Sequence, residues 1–121
     1  MKVVMWHNPR CSKSRQTLQL LQERGIEPEI VKYLETPPSA EELKEVINLL
    51  GFSSARDLMR RKEKEYKELG LADTSKSEED LIAAMVEHPR LIERPVVIVE
   101  DKKGRRAALG RPPENVLKLF E

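Results

Sequence analysis

Cysteine is almost missing from this 121-residue chain: there is one, Cys11, beside two histidines. A single thiol excludes an internal disulfide framework and any multi-cysteine metal site, and two histidines leave a buried zinc site short of ligands. An excess of one charge is missing too. The 22 Lys and Arg face 21 Asp and Glu, for a net charge of +1, which excludes a general polyanion-binding surface and with it a nucleic-acid partner. Local clusters of one sign remain open. No apolar run nears the ~18 residues that span a bilayer, and the N-terminus has no signal-peptide profile. The expectation is a soluble, cytoplasmic protein with no membrane partner. Repeats, low-complexity tracts and long linkers are also absent. Residues 1–121 are therefore read as one domain, since halves would be too small to bury a useful core. Chemistry must then run on one thiol, a few hydroxyls, or charge.

What is present is an ordinary globular mixture, 39% hydrophobic and 36% charged. The apolar run Lys2–Trp6 reads as a buried strand, closed by His7-Asn8-Pro9. A helical pattern follows from Ser12 to Arg24, with Gly25 as its stop. Ile30 to Leu34 reads as the next strand. Ser39 to Glu42 matches a capping box, and Leu43, Val46, Ile47 and Leu50 follow at helical spacing until Gly51. Ser54 can cap a helix that continues through the charged stretch 60–65 toward Leu69-Gly70. Ser77 can cap another, burying Leu81, Ile82 and Met85 and stopping near His88-Pro89. Val96 to Val99 is a run of β-branched residues that reads as a central strand. The turn Asp101-Lys102-Lys103-Gly104 leads back into a strand from Arg105 to Leu109, and Pro113 opens a last helix with Val116, Leu117 and Phe120. The order β-α-β, three helices, β-hairpin, helix predicts a small α/β domain with a mixed sheet.

Cys11 lies between the first strand and the first helix. An unpaired cysteine is ordinarily a small buried hydrophobe. Here the neighbours from His7 to Gln16 are polar except Pro9, and Arg10, Lys13 and Arg15 add positive charge. A helix N-terminus adds roughly half an elementary charge more, with unpaired N–H groups facing what precedes it. These features favour a thiolate, the nucleophilic form. The same N–H groups, with Arg15 one helical turn beyond the sulfur, form an anion cradle. Ser14 stands where Cys-x-x-Cys proteins carry a second cysteine. Its hydroxyl cannot close a disulfide, but it can donate to the thiolate or orient an imidazole. Any resolving thiol must come from another molecule. His7 can support ionisation or simply end the strand, and His88 fits a helix C-terminus. Arg60 and Arg61 occupy a charged stretch that by default is solvated. Arg94 precedes Pro95 in a tight, cis-compatible turn, and Arg111 sits at another strand-to-helix junction. If the fold gathers such arginines around one thiolate, the pocket suits a small doubly charged oxyanion.

The markers His7-Asn8-Pro9-x-Cys11-x-x-Ser14-Arg15, Tyr33-Leu34-Glu35-x-Pro37-Pro38, Leu69-Gly70-Leu71, Arg94-Pro95 and Gly110-Arg111-Pro112 occur in one order along nearly the whole chain. With them the sequence resembles the glutaredoxin-linked arsenate reductases. The resemblance implies a thioredoxin-like α/β fold: a mixed four-stranded sheet flanked by helices, a helical segment inserted between the second and third strands, and a cis Pro95. It implies Cys11 as the nucleophile on arsenate, with His7 and Ser14 tuning its ionisation. Arg60, Arg94 and Arg111 would bind the oxyanion, with Arg15 in the anion loop. Arg60 keeps the family's spacing to Tyr66 and Leu69-Gly70, while Arg61 stays open as the alternative. The implied scheme is a cysteine–arsenate adduct, attack by glutathione, then reduction by glutaredoxin with release of arsenite. Glutathione is then a co-substrate, glutaredoxin a partner, and no metal or cofactor is bound. Two other readings stand beside it: a glutathione-dependent protein thiol reductase, and a thioredoxin-like module that binds without catalysis.

Overall fold

The computed structural model describes residues 1–121 as two compact units, Met1–Thr36 with Arg94–Glu121, and Pro37–Glu93. In the first unit, β1 (Lys2–Trp6), β2 (Glu29–Val31), β3 (Val96–Asp101) and β4 (Gly104–Leu109) form one sheet in the order β2-β1-β3-β4. β1 runs parallel to β2, while β1 with β3 and β3 with β4 are antiparallel. This is the expected mixed four-stranded sheet of a thioredoxin-like fold. Met5, Val97 and Ala108 fall in register across three strands, and one sheet face buries them with Val3, Val99, Leu21, Val116 and Leu119. Leu21 comes from α1 (Ser12–Glu23), and Val116 and Leu119 from the segment Pro113–Phe120. α1 stops as its sequence demands. Gly25 takes a left-handed φ of 74°, and Gly25 and Ile26 N–H groups cap the Gln22 and Leu21 carbonyls.

The second unit is the inserted helical segment. α2 (Ala40–Leu49) opens with Ser39 Oγ accepting from Glu42 N–H at 3.1 Å, and α4 (Glu78–Glu87) opens with a full Ser77–Asp80 capping box. α2 buries Leu43, Val46 and Ile47, and α4 buries Leu81, Ile82, Ala84 and Met85. Glu78 accepts from both Ser54 Oγ and Ala55 N–H, which anchors the start of the Ala55–Leu58 turn to α4.

Three expected elements differ. The single helix from Ser54 to Gly70 is instead a 3₁₀ turn, Ala55–Leu58, followed after a break by the short α3 (Lys64–Glu68). Pairing overrides helical propensity in the break. Met59 is extended and bridges Ile92, with Arg60 N–H on Leu91 O and Glu93 N–H on Leu58 O, both at 2.7 Å. The second strand begins at Glu29 and ends at Val31 rather than Leu34, because Lys32 O is taken by a turn through Glu35 and Thr36 N–H. The last helix is 3₁₀ throughout, entered from the Pro112-Pro113 pair, which has no N–H to offer.

The hairpin and that last segment are fastened by one ion pair. Arg106 donates to both carboxylate oxygens of Asp101 at 3.0 Å and to Leu119 O at 3.1 Å. The Arg106 bonds, helped by Lys103 N–H, pull the Asp101 carboxyl from 3.8 down to about 2. A depressed folded-state value means that the contribution is present above 3.8 and is lost as pH falls through about 2. Asp101→Asn should therefore lower the melting temperature at neutral pH. The gap from the parent protein should close across that acid window, and a gap independent of pH would refute the assignment.

Candidate active site

The first unit's functional groups gather at the turn from β1 into α1. His7 N–H donates to Val31 O at 2.9 Å, carrying the chain off the sheet end beside β2. Asn8 then folds the loop: its carbonyl accepts from Cys11 N–H and its Oδ1 from Arg10 N–H, both at 3.0 Å. Cys11 enters α1 as its N-cap, with extended backbone (φ −92°, ψ 124°) and its carbonyl already accepting from Arg15 N–H. The thiol is half-buried.

Burial is the largest single influence on that thiol, and it pushes the pKa up. It is outweighed by Ser14 N–H, the Arg94 charge, Lys13 N–H and an Arg94 side-chain bond, so the thiol lies below its usual 9.0. The thiol makes no cap hydrogen bond of full geometry, yet the Ser14 and Lys13 N–H groups are turned to the sulfur, ready for a thiolate. The source of the effect differs from the sequence argument. Arg10 and Lys13 extend into solvent, and the cation that acts on the sulfur is Arg94, 83 positions along the chain.

Ser14 and His7 are buried together, with Ser14 Oγ 2.7 Å from His7 Nδ1 and accepting from Asn8 N–H at 3.0 Å. The hydroxyl thus serves the imidazole and the loop, and it is the serine's amide that faces the sulfur. Burial, then Lys32 and Arg15, lower the His7 pKa from 6.5, so the ring is neutral at pH 7. A neutral ring protonated at Nε2 completes this network, with Oγ–H donating to Nδ1.

The arginines have separate places. Arg15 is exposed and folds back, donating from Nη1 to Pro9 O at 3.0 Å. Arg94 favours the thiolate form of Cys11, and Arg111 reaches the Arg94 carbonyl at a long 3.5 Å. The Arg94–Pro95 and Arg111–Pro112 bonds are both cis, and Gly110 N–H donates to Pro95 O at 2.9 Å, joining the two loops. Arg60 belongs to the second unit, where its half-buried guanidinium meets Glu63 at 2.7 Å and Glu93 at 3.8 Å. Arg61 is exposed and pairs with Asp57 at 3.5 Å. A cavity of about 430 Å³ in the second unit, lined by Ile47, Phe52 and Ile82 among others, contains neither cysteine nor arginine. No three His, Cys, Asp or Glu side chains converge to hold a metal, and no helix is long and apolar enough to cross a membrane.

Thr17 is marked in the sequence only as a polar residue on the buried Ser14–Thr17–Leu21 face of α1, and Asn8 and Gly110 only as members of the His7-Asn8-Pro9 and Gly110-Arg111-Pro112 markers, without the roles they have here. The arrangement is an activated thiol with main-chain donors and a guanidinium beside it, which suits attack on an electron-poor centre carried by an anion.

The sequence from residue 6 to residue 119 matches the ArsC family. The uncharacterized protein YfgD of Escherichia coli K12 is 58% identical over 118 residues, covering 98% of this chain and 96% of that protein. The arsenate reductase of Neisseria meningitidis serogroup A is 51% identical over 115 residues, 95% of each chain. The solved structure of an arsenate reductase from Vibrio cholerae superposes with a TM-score of 0.91 at 54% identity, covering 98% of this chain and 97% of that one.

The site geometry makes Arg94 the cation that matters to the thiol. Alkylation rate against pH should give a midpoint below 9.0 for the parent protein, and Arg94→Gln should raise it. Arg10→Gln should leave it in place. A profile insensitive to Arg94 would remove the guanidinium from the sulfur's surroundings.

Proposed function

The chain belongs to the ArsC family, and from that membership together with its activated thiol we propose that it reduces arsenate to arsenite, with Cys11 as nucleophile and glutathione and glutaredoxin as thiol donors. The observation that carries the reading is Cys11 itself, a half-buried thiol facing Ser14 N–H, Lys13 N–H and Arg94. The thiolate attacks arsenic and forms a sulfur–arsenic bond as one arsenate oxygen leaves, protonated, as water. Glutathione attacks the adduct, and glutaredoxin reduces the resulting mixed species as arsenite leaves. Overall two thiols become one disulfide, arsenic gains two electrons, and one arsenate oxygen departs as water. The chain holds one cysteine, which the cycle regenerates, so both of those thiols are external, one from glutathione and one from glutaredoxin. A reduced glutathione pool places this chemistry in the cytoplasm.

Within this reading Arg94 and Arg111 bind the oxyanion from the two cis-proline loops, and Arg15 stiffens the anion loop through Pro9. Arg60 is the third oxyanion ligand. It is proposed over Arg61 on the family's spacing to Tyr66 and Leu69-Gly70, and to act it must exchange its ion pairs with Glu63 and Glu93 for the anion. His7 and Ser14 act through the loop, holding the main-chain donors on the sulfur.

Arsenate-dependent NADPH consumption, coupled through glutathione, glutaredoxin and glutathione reductase, tests the activity. Losing one charge-assisted contact costs about 1.5–3 kcal/mol, so Arg94→Ala, Arg111→Ala and Arg60→Ala should each lower kcat/KM roughly ten- to hundredfold. Arg61→Ala should change it less than about twofold. Full activity in a folded Arg94→Ala or Arg111→Ala protein would overturn the oxyanion site.

A further inference from the structure

Thr17 is fully buried on the inner face of α1, six residues beyond Cys11. A buried helical threonine commonly satisfies its hydroxyl on the carbonyl one turn back, and Thr17 Oγ1 does donate to Lys13 O, at 2.8 Å. The choice of carbonyl is what matters. Lys13 C=O and Ser14 N–H are the two ends of one peptide group, and Ser14 N–H faces the Cys11 sulfur. A donor on the carbonyl end pins that peptide plane. It also polarises the amide, so that its N–H becomes the stronger donor.

The surroundings are built around the same hydroxyl. A Cβ on Gly110 would lie 2.6 Å from Thr17 Oγ1 and 2.7 Å from Pro95 Cγ, too close for either to remain where it is. Glycine at 110 therefore leaves the gap in which the threonine side chain and the cis-proline ring meet. Gly110 N–H, bonded to Pro95 O, ties the same point to the loops carrying Arg94 and Arg111. One hydroxyl thus adjoins both the helix that carries the sulfur and the loops that carry its arginines.

We propose that Thr17 is a positioning residue for Cys11: its hydroxyl, seated in the gap left by Gly110, holds and polarises the Lys13–Ser14 peptide whose N–H serves the sulfur. The inference rests on Cys11 as the working thiol of the proposed function. Its readout is thiol reactivity, which needs no arsenate. A protein that fails to turn over arsenate would therefore sink the functional reading without deciding the role of Thr17.

The test compares the full chain with Thr17→Val, which keeps the shape and loses the hydroxyl, and Thr17→Ser, which keeps the hydroxyl. Iodoacetamide alkylation of Cys11 is followed against pH, with a thermal melt on each protein. Weakening a donor to a thiolate should slow alkylation at neutral pH about threefold or more in Thr17→Val and move the midpoint upward. Thr17→Ser should stay close to the parent. A folded Thr17→Val with the parent's profile overturns the proposal, and so does a Thr17→Ser as slow as Thr17→Val, which would mark the effect as packing. Should Thr17→Val fail to fold, the parent protein still decides. The Ser14 amide proton must shift with the Cys11 titration in NMR spectra, and Thr17→Ser must preserve that shift. An unmoved Ser14 amide overturns the link.

Discussion

Asn8 ties the loop before α1 at three points, and the site depends on those ties. Its carbonyl holds Cys11 N–H, its side-chain oxygen holds Arg10 N–H, and its own N–H reaches across to Ser14 Oγ. Together with His7 N–H on Val31 O, they fix the loop between the sheet end and the first helical turn. Cys11 therefore meets the helix as its N-cap, where the unpaired N–H groups of the first turn have no other partner. Those donors are in place before any charge develops, so ionising the sulfur requires no reorganisation of the loop.

The thiol works within a balance of opposing effects. Burial is the largest single influence and disfavours the charged sulfur, while two main-chain donors and Arg94 favour it and carry the net shift downward. Less burial would not simply help. A unit charge at about 4 Å is worth roughly 1 kcal/mol in water and about 4 kcal/mol near a protein surface, so the shelter that costs solvation also gives Arg94 its reach. Arg10 and Lys13, standing in solvent, have the proximity in sequence but not the dielectric.

The same distinction explains what the sequence revealed. Helix starts at Ser39 and Ser77 were legible because capping is local: the cap and its third-residue partner lie within one turn. The strands were legible from apolar runs, and the thiol from its polar setting. The break at Met59 was not legible, because its cause is Ile92, more than thirty residues away. Nor was Gly110. Its lack of a side chain acquires meaning only when Thr17 and Pro95 close on it from two other segments. Cys11 and its helix-terminal donors could be read locally, whereas the contact with Arg94 depends on β3 lying beside β1.

Ser14 shows why the second position of a Cys-x-x-Cys pattern can be settled by packing rather than by redox chemistry. The residue is fully buried, and its oxygen serves two polar groups, the His7 ring and Asn8 N–H. A thiol there would offer a weak donor and a weak acceptor on a longer bond. The buried Nδ1 and the amide would then lose their partner, at about 1–3 kcal/mol for each group left unsatisfied. That is a large share of the stability of a small domain, and the loss would fall on the loop that presents Cys11. A hydroxyl at position 14 therefore keeps the nucleophile's loop rigid and neutral, and leaves disulfide exchange to a second molecule.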